Sequence, residues 1–128
     1  MPRYEMLNNV AHRDLRVLTD FGAEFGDAVG MVPAYPSEFA ELQREYPIFL
    51  RRDATTGAWQ SVALLGFEQH ENLYLQDGRW NASYLPGAAA KGPFLIGFQD
   101  AGFDGDAAGE TVIHVDLDHP RVSAVQGQ

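Results

Sequence analysis

The chain has 128 residues, 45% of them hydrophobic and 12% aromatic, and its 9 Lys and Arg against 18 Asp and Glu give a formal net charge of −9. This is the composition of a folded protein rather than a disordered acidic tail, and the acidic balance excludes the basic face that nucleic acid or an anionic membrane surface would need. With no cysteine, disulfides, thiolate nucleophiles and Cys-ligated metals are excluded as well. The length predicts one domain over residues 1–128.

The first nine residues lack the continuous apolar stretch of a secretory signal, and no window approaches the roughly 18 apolar residues of a membrane-spanning helix. No membrane insertion is expected, and the chain is expected to be cytoplasmic or exported by a signal-independent route. Leu15, Val17 and Leu18 fit either a strand or a short helix. Gly22, Gly26 and Gly30 then break any long helix, and a glycine-containing loop is the preferred reading there.

A helix is predicted over residues 38–46. Ser37 is placed to cap it, Glu38 and Glu41 sit in its electropositive first turn, and Phe39, Leu42 and Tyr46 make one apolar stripe before Pro47 ends it. From Ile48 the pattern changes to strands. Residues 48–52 and 59–67 flank the turn-rich Asp53 to Gly57. Residues 72–76 and 79–84 flank Asp77-Gly78, a dipeptide suited to a type I′ turn with positive φ at both central positions. Residues 94–98 read as a further strand, 99–110 as a Gly- and Asp-rich loop, and 111–117 as the last strand, with His114 and Asp116 on one face. These elements predict an α+β fold, mainly an antiparallel β meander with one or two short helices.

Chemistry-bearing patterns are sparse. His114-Val115-Asp116 has the His-x-Asp spacing of a facial-triad metal site, which a third ligand from His119, His12 or His70 would complete. The competing and more frequent reading is a polar strand face that ends at Pro120. Residues 100–110 carry oxygen ligands suited to calcium, but not in EF-hand order, and a solvated loop accounts for them. There is no G-x-S-x-G elbow and no Gly-rich phosphate loop. Trp59, Tyr74, Trp80 and Tyr84 lie in or beside the two hairpins, either as cross-strand core pairs or as a recognition surface for peptide, glycan or a protein partner.

A series of motifs adds a resemblance. Glu45-Tyr46-Pro47-Ile48-Phe49, Val62-Ala63-Leu64-Leu65-Gly66, Glu71-Asn72-Leu73-Tyr74 and Asp77-Gly78-Arg79-Trp80 occur in order. Tyr84-Leu85-Pro86, Gly92-Pro93-Phe94 and the stretch from Val115 through Asp118-His119-Pro120-Arg121-Val122-Ser123 continue the series, which His12-Arg13-Asp14-Leu15-Arg16-Val17 opens. Together they resemble the SapC family. The resemblance implies a bacterial surface-layer or envelope context and supplies no catalytic residues. Members are often labelled peptide-transport permeases, a label the hydropathy of this chain argues against.

Family members continue into a further Leu-rich region, so the resemblance also implies that these residues correspond to the first part of the family's length and leave apolar surface to be covered. The resulting expectation is a non-enzymatic interaction or assembly module with a protein partner or a second copy of itself. The alternative is a metal-binding domain or metal-dependent enzyme using His114, Asp116 and His119. No cofactor beyond such a divalent metal is expected.

Overall fold

The structure, a computed structural model, describes residues 2–98 and 111–128. The expected Gly- and Asp-rich loop and its calcium-type ligands therefore lie outside the described residues. The strands are β1 (Tyr4–Met6), β2 (Arg16–Val17), β3 (Met31–Pro33), β4 (Ile48–Arg52), β5 (Trp59–Leu64), β6 (Leu75–Gln76), β7 (Arg79–Trp80), β8 (Phe94–Phe98), β9 (Thr111–Asp116) and β10 (Val122–Ser123). Two one-turn helices, α1 (Phe39–Leu42) and α2 (Gly87–Ala90), join them. The pairings among the described residues are all antiparallel, so the fold is α+β with mostly antiparallel strands.

Neighbouring strands form hairpins at β4–β5, β6–β7 and β8–β9, while β1 adds to β9, β2 to β10 and β3 to β5 across longer stretches of chain. Two compact units result, Asp20–Ala90 and Met1–Thr19 with Lys91–Gln128.

In the unit Asp20–Ala90, the sheet order is β3-β5-β4. Register places Val32 opposite Ala63 and Ile48 opposite Ala63 on one face, and Met31, Leu64, Val62 and Phe49 on the other. The first of these faces meets the core, where Val32, Ala34, Leu42, Tyr46, Ala63 and Leu65 are buried together. The expected apolar stripe is therefore in place: Leu42 and Tyr46 are sealed, and Phe39 packs against them.

The helix itself is shorter than the spacing predicts. Pro36–Glu38 forms a 3-10 turn, and α1 follows for a single turn. Ser37 is not the cap. The Tyr35 carbonyl accepts the Glu38 N–H at 2.8 Å, and the Tyr35 N–H donates to the Glu38 carboxylate at 3.3 Å. The carboxylate has turned inward rather than toward the solvent at the first helical turn.

In the other unit, the sheet order is β1-β9-β8, and β2 and β10 form a separate two-stranded ribbon. Val115 is fully buried, while Ile113 and Ile96, paired across β9 and β8, are more than half exposed. Arg121, which is also buried, donates from Nη1 to the Leu18 carbonyl at 3.0 Å and so fastens the base of the β2–β10 ribbon. No helix among the described residues is long and apolar enough to cross a membrane.

Candidate functional site

The Asp77-Gly78 turn behaves as expected, with φ of 50° at Asp77 and 75° at Gly78. It folds β7 back so that Trp80 lies parallel to Tyr74, with ring centroids 6.2 Å apart and planes 10° apart. Tyr46, from the turn after α1, meets Tyr74 with ring centroids 4.5 Å apart, and Phe21 and Trp80 make an edge-to-face pair at 5.8 Å. Offset and edge-on arrangements of this kind add to the burial energy of the rings.

The polar tips of these rings are spent internally. Trp80 Nε1 donates to Tyr46 Oη at 2.8 Å, Tyr46 Oη donates to the Tyr84 carbonyl at 2.5 Å, and Tyr74 Oη donates to the Glu45 carbonyl at 2.6 Å. Two carboxylates complete the frame. Buried Glu38 accepts the Tyr84 hydroxyl at 2.8 Å and the Gly87 N–H at 2.6 Å. Glu45 accepts the N–H groups of Ser83 and Tyr84 at 2.8 and 2.9 Å.

The electrostatics follow from these bonds. Desolvation pushes the Tyr46 phenol up to about 12. Desolvation and then the Glu45 charge raise Tyr74, while the hydrogen bond to Glu38 is the main cause raising Tyr84. The backbone amide of Ser83, followed by that of Tyr84, holds Glu45 below the ordinary carboxylate range. Phenols kept protonated and a carboxylate already saturated with amides hold a structure together and do not supply an acid or a base near neutral pH.

Three of the four aromatic residues singled out as a recognition surface, Tyr74, Trp80 and Tyr84, thus pack against the core of their unit. The fourth is placed differently: Trp59 is 67% exposed at the start of β5, opposite Arg52.

The His-x-Asp pair shares a strand face, as expected, but its atoms are engaged separately. The His114 imidazole lies against Gly97 on the neighbouring strand, with Nδ1 buried and lacking a hydrogen-bond partner. Asp116 Oδ1 accepts the N–H groups of Arg3 and Asp118 at 2.9 and 3.0 Å. His119 Nδ1 accepts the Arg121 N–H at 3.1 Å. Among the described residues, no group of three or more His, Asp or Glu is gathered so as to hold a metal ion.

Two exposed apolar residues that strand patterning did not single out are on β4, an outer strand of its sheet. Phe49 is 53% and Leu50 72% exposed, and they point to opposite faces. Beside Phe49, on the face away from the core, Met31, Leu64 and Arg51 border an open groove of about 670 Å³ that continues to Phe67 and His70. A continuous Ile-Phe-Leu run reads equally well as a buried strand, so only topology could reveal that β4 is an edge.

These features define an antiparallel α+β protein with a hydrogen-bonded aromatic core and an exposed sheet edge. The chain belongs to the SapC family, whose model matches residues 7–128. No curated protein and no solved structure matches it.

Proposed function

We propose that the chain is a non-enzymatic assembly module that docks a protein, either a partner or a second copy of itself, through the β4 edge and the apolar residues beside it. The observation that carries the reading is the exposure of Phe49 and Leu50 side by side on an outer strand, with Trp59 exposed at the far end of the same hairpin. An edge strand offers unpaired backbone donors and acceptors, and side chains on both of its faces supply contact area and selectivity. Arg51 and Arg52 on the same strand restrain indiscriminate pairing and favour an acidic counterpart. The inward use of the Tyr74, Trp80 and Tyr84 tips supports a structural rather than catalytic role for the aromatic cluster. We propose a bacterial surface-layer or envelope setting for this assembly, a reading that membership of the SapC family supports.

Light scattering across a concentration series tests self-association. The unmodified chain should gain mass with concentration, and Phe49→Lys combined with Leu50→Lys should stay monomeric. In the partner arm, the unmodified chain and that variant serve as paired baits in envelope extracts. A chain that stays monomeric throughout, together with a variant that retains every protein captured by the unmodified chain, would overturn β4 as the docking edge.

A further inference from the structure

The two ends of the motif series, some hundred residues apart in sequence, meet in the unit formed by Met1–Thr19 and Lys91–Gln128. Pairing of β2 with β10 sets Val17 opposite Val122 and Arg16 opposite Ser123. The turn before β2, which carries His12 and Asp14, thereby comes beside Leu117 and Val122. Between them lies a pocket of about 350 Å³, with Glu5 of β1 in its wall.

His12 distinguishes this pocket from a surface dimple. Its side chain is only 5% exposed although it belongs to a turn near the amino terminus. Nδ1 accepts the Asn8 N–H at 3.1 Å, so the ring hydrogen sits on Nε2. Nε2 is buried without a hydrogen-bond partner, and the Glu5 carboxylate Oε2 stands 3.4 Å from it. Buried donors are rarely left in this condition in a site whose only task is packing. Glu5, which faces that nitrogen, also lines the pocket.

The rest of the lining identifies the ligand. Leu15, Leu117 and Val122 supply an apolar floor, Glu5 and Asp14 supply two carboxylates, and none of the described lining residues is a lysine or arginine. An anion would meet two negative charges, and a wholly apolar molecule would strip water from both carboxylates without replacing it. A positive head on an aliphatic stem satisfies both parts of the wall. The volume lies at the lower end of the range for small-molecule pockets and admits a stem of several carbons.

We propose that this pocket binds a primary alkylammonium group, with its ammonium between Glu5 and Asp14, its stem on Leu15, Leu117 and Val122, and His12 holding the Glu5 carboxylate in place. A free alkylamine and a lysine side chain present the same chemistry. The site is independent of the β4 edge, so the two readings stand or fall separately.

Amide chemical shifts of the isotope-labelled chain, followed during titration with n-hexylammonium, test the proposal, with n-hexanol and hexanoate as neutral and anionic controls. Saturable shifts are expected at Leu15, Leu117 and Val122 with the amine and not with either control. Glu5→Gln and Asp14→Asn, each checked for an unchanged melting temperature, should each weaken the amine about two- to fivefold, as loss of one charge from a half-exposed site predicts. Nα-acetyl-lysine methylamide in a parallel titration separates the sources. Tighter binding than hexylammonium assigns a lysine side chain, and weaker binding assigns a free amine. Shifts that never saturate and spread over the acidic surface, equal binding of hexanol, or unaltered affinity in both carboxylate variants would overturn it.

Discussion

Trp80 donates its indole N–H to the Tyr46 hydroxyl at 2.8 Å, and that hydroxyl in turn donates to the Tyr84 carbonyl. One oxygen thus ties the second hairpin, the turn after α1 and the connection that follows β7. Each of these three pieces is too short to stand alone, since β6 and β7 are two residues each and α1 is a single turn. Their order comes from side-chain bonds to the backbone made in a dry setting, where the loss of one partner strands the other.

Tyr46→Phe should therefore destabilise the protein by about 1–3 kcal/mol, because it leaves the Trp80 N–H and the Tyr84 carbonyl without their shared partner while keeping the ring. Equilibrium denaturation with urea measures this. A free energy within error of the unmodified protein would show that the Tyr46 hydroxyl is not the link between these segments.

The same hydroxyl makes stability fall on the alkaline side. Its pKa is raised in the folded protein from 10.0 to about 12, so its contribution is complete below pH 10 and is lost as pH rises from there toward 12. Tyr74 and Tyr84 are raised as well and act in the same direction. Denaturation midpoints should fall steeply across that window. Tyr46→Phe should show a lower midpoint at neutral pH and a shallower alkaline decline, and the part of the tyrosinate absorbance that this variant lacks should follow unfolding rather than precede it. A Tyr46→Phe decline as steep as that of the unmodified chain would refute the assignment.

The parts of this fold that were legible in sequence are those set by neighbours in the chain. Asp77-Gly78 announces its turn, and Phe39, Leu42 and Tyr46 form one stripe although the helix stops at Leu42, before Pro47. What was not legible depends on distant partners. Glu38 reads as a first-turn carboxylate serving the helix dipole, whereas Tyr84 and Gly87, more than forty residues on, draw it into the interior. The run Val62-Ala63-Leu64-Leu65 has no polar alternation to set its parity, and the structure buries Val62, Ala63 and Leu65 while leaving Leu64 only partly buried beside the groove. The buried His12 has no local sequence signal either, because its environment is made by β1 and by the chain around β10.

Gly78→Val should cost about 1–3 kcal/mol, since a β-branched residue resists the positive φ of this position. The penalty is one of backbone conformation, as a Cβ there would find its nearest neighbour, the Phe21 carbonyl oxygen, at 3.9 Å, an ordinary contact. Asp77→Gly serves as the control because glycine accepts φ of 50° without strain. Thermal melting should separate the two variants, and equal melting temperatures would show that the turn conformation carries no energy.

Gly97 and His114 occupy adjacent strands, diagonal to each other in the β8–β9 register, and a Cβ on Gly97 would collide with the imidazole Nδ1 and Cε1. The ring fills the space that the missing side chain leaves, as aromatic side chains do over glycines in sheets. Gly97→Ala should therefore destabilise by about 1–3 kcal/mol through overpacking. In a His114→Ala background the obstacle is gone, and the alanine recovers the roughly 0.5–1 kcal/mol by which glycine weakens a strand. The double-mutant cycle should thus show strong coupling, with Gly97→Ala changing sign from harmful to neutral or favourable. Additive effects would mean that His114 does not rest on Gly97, and its imidazole would then be free to turn toward Asp116 as the His-x-Asp spacing invites.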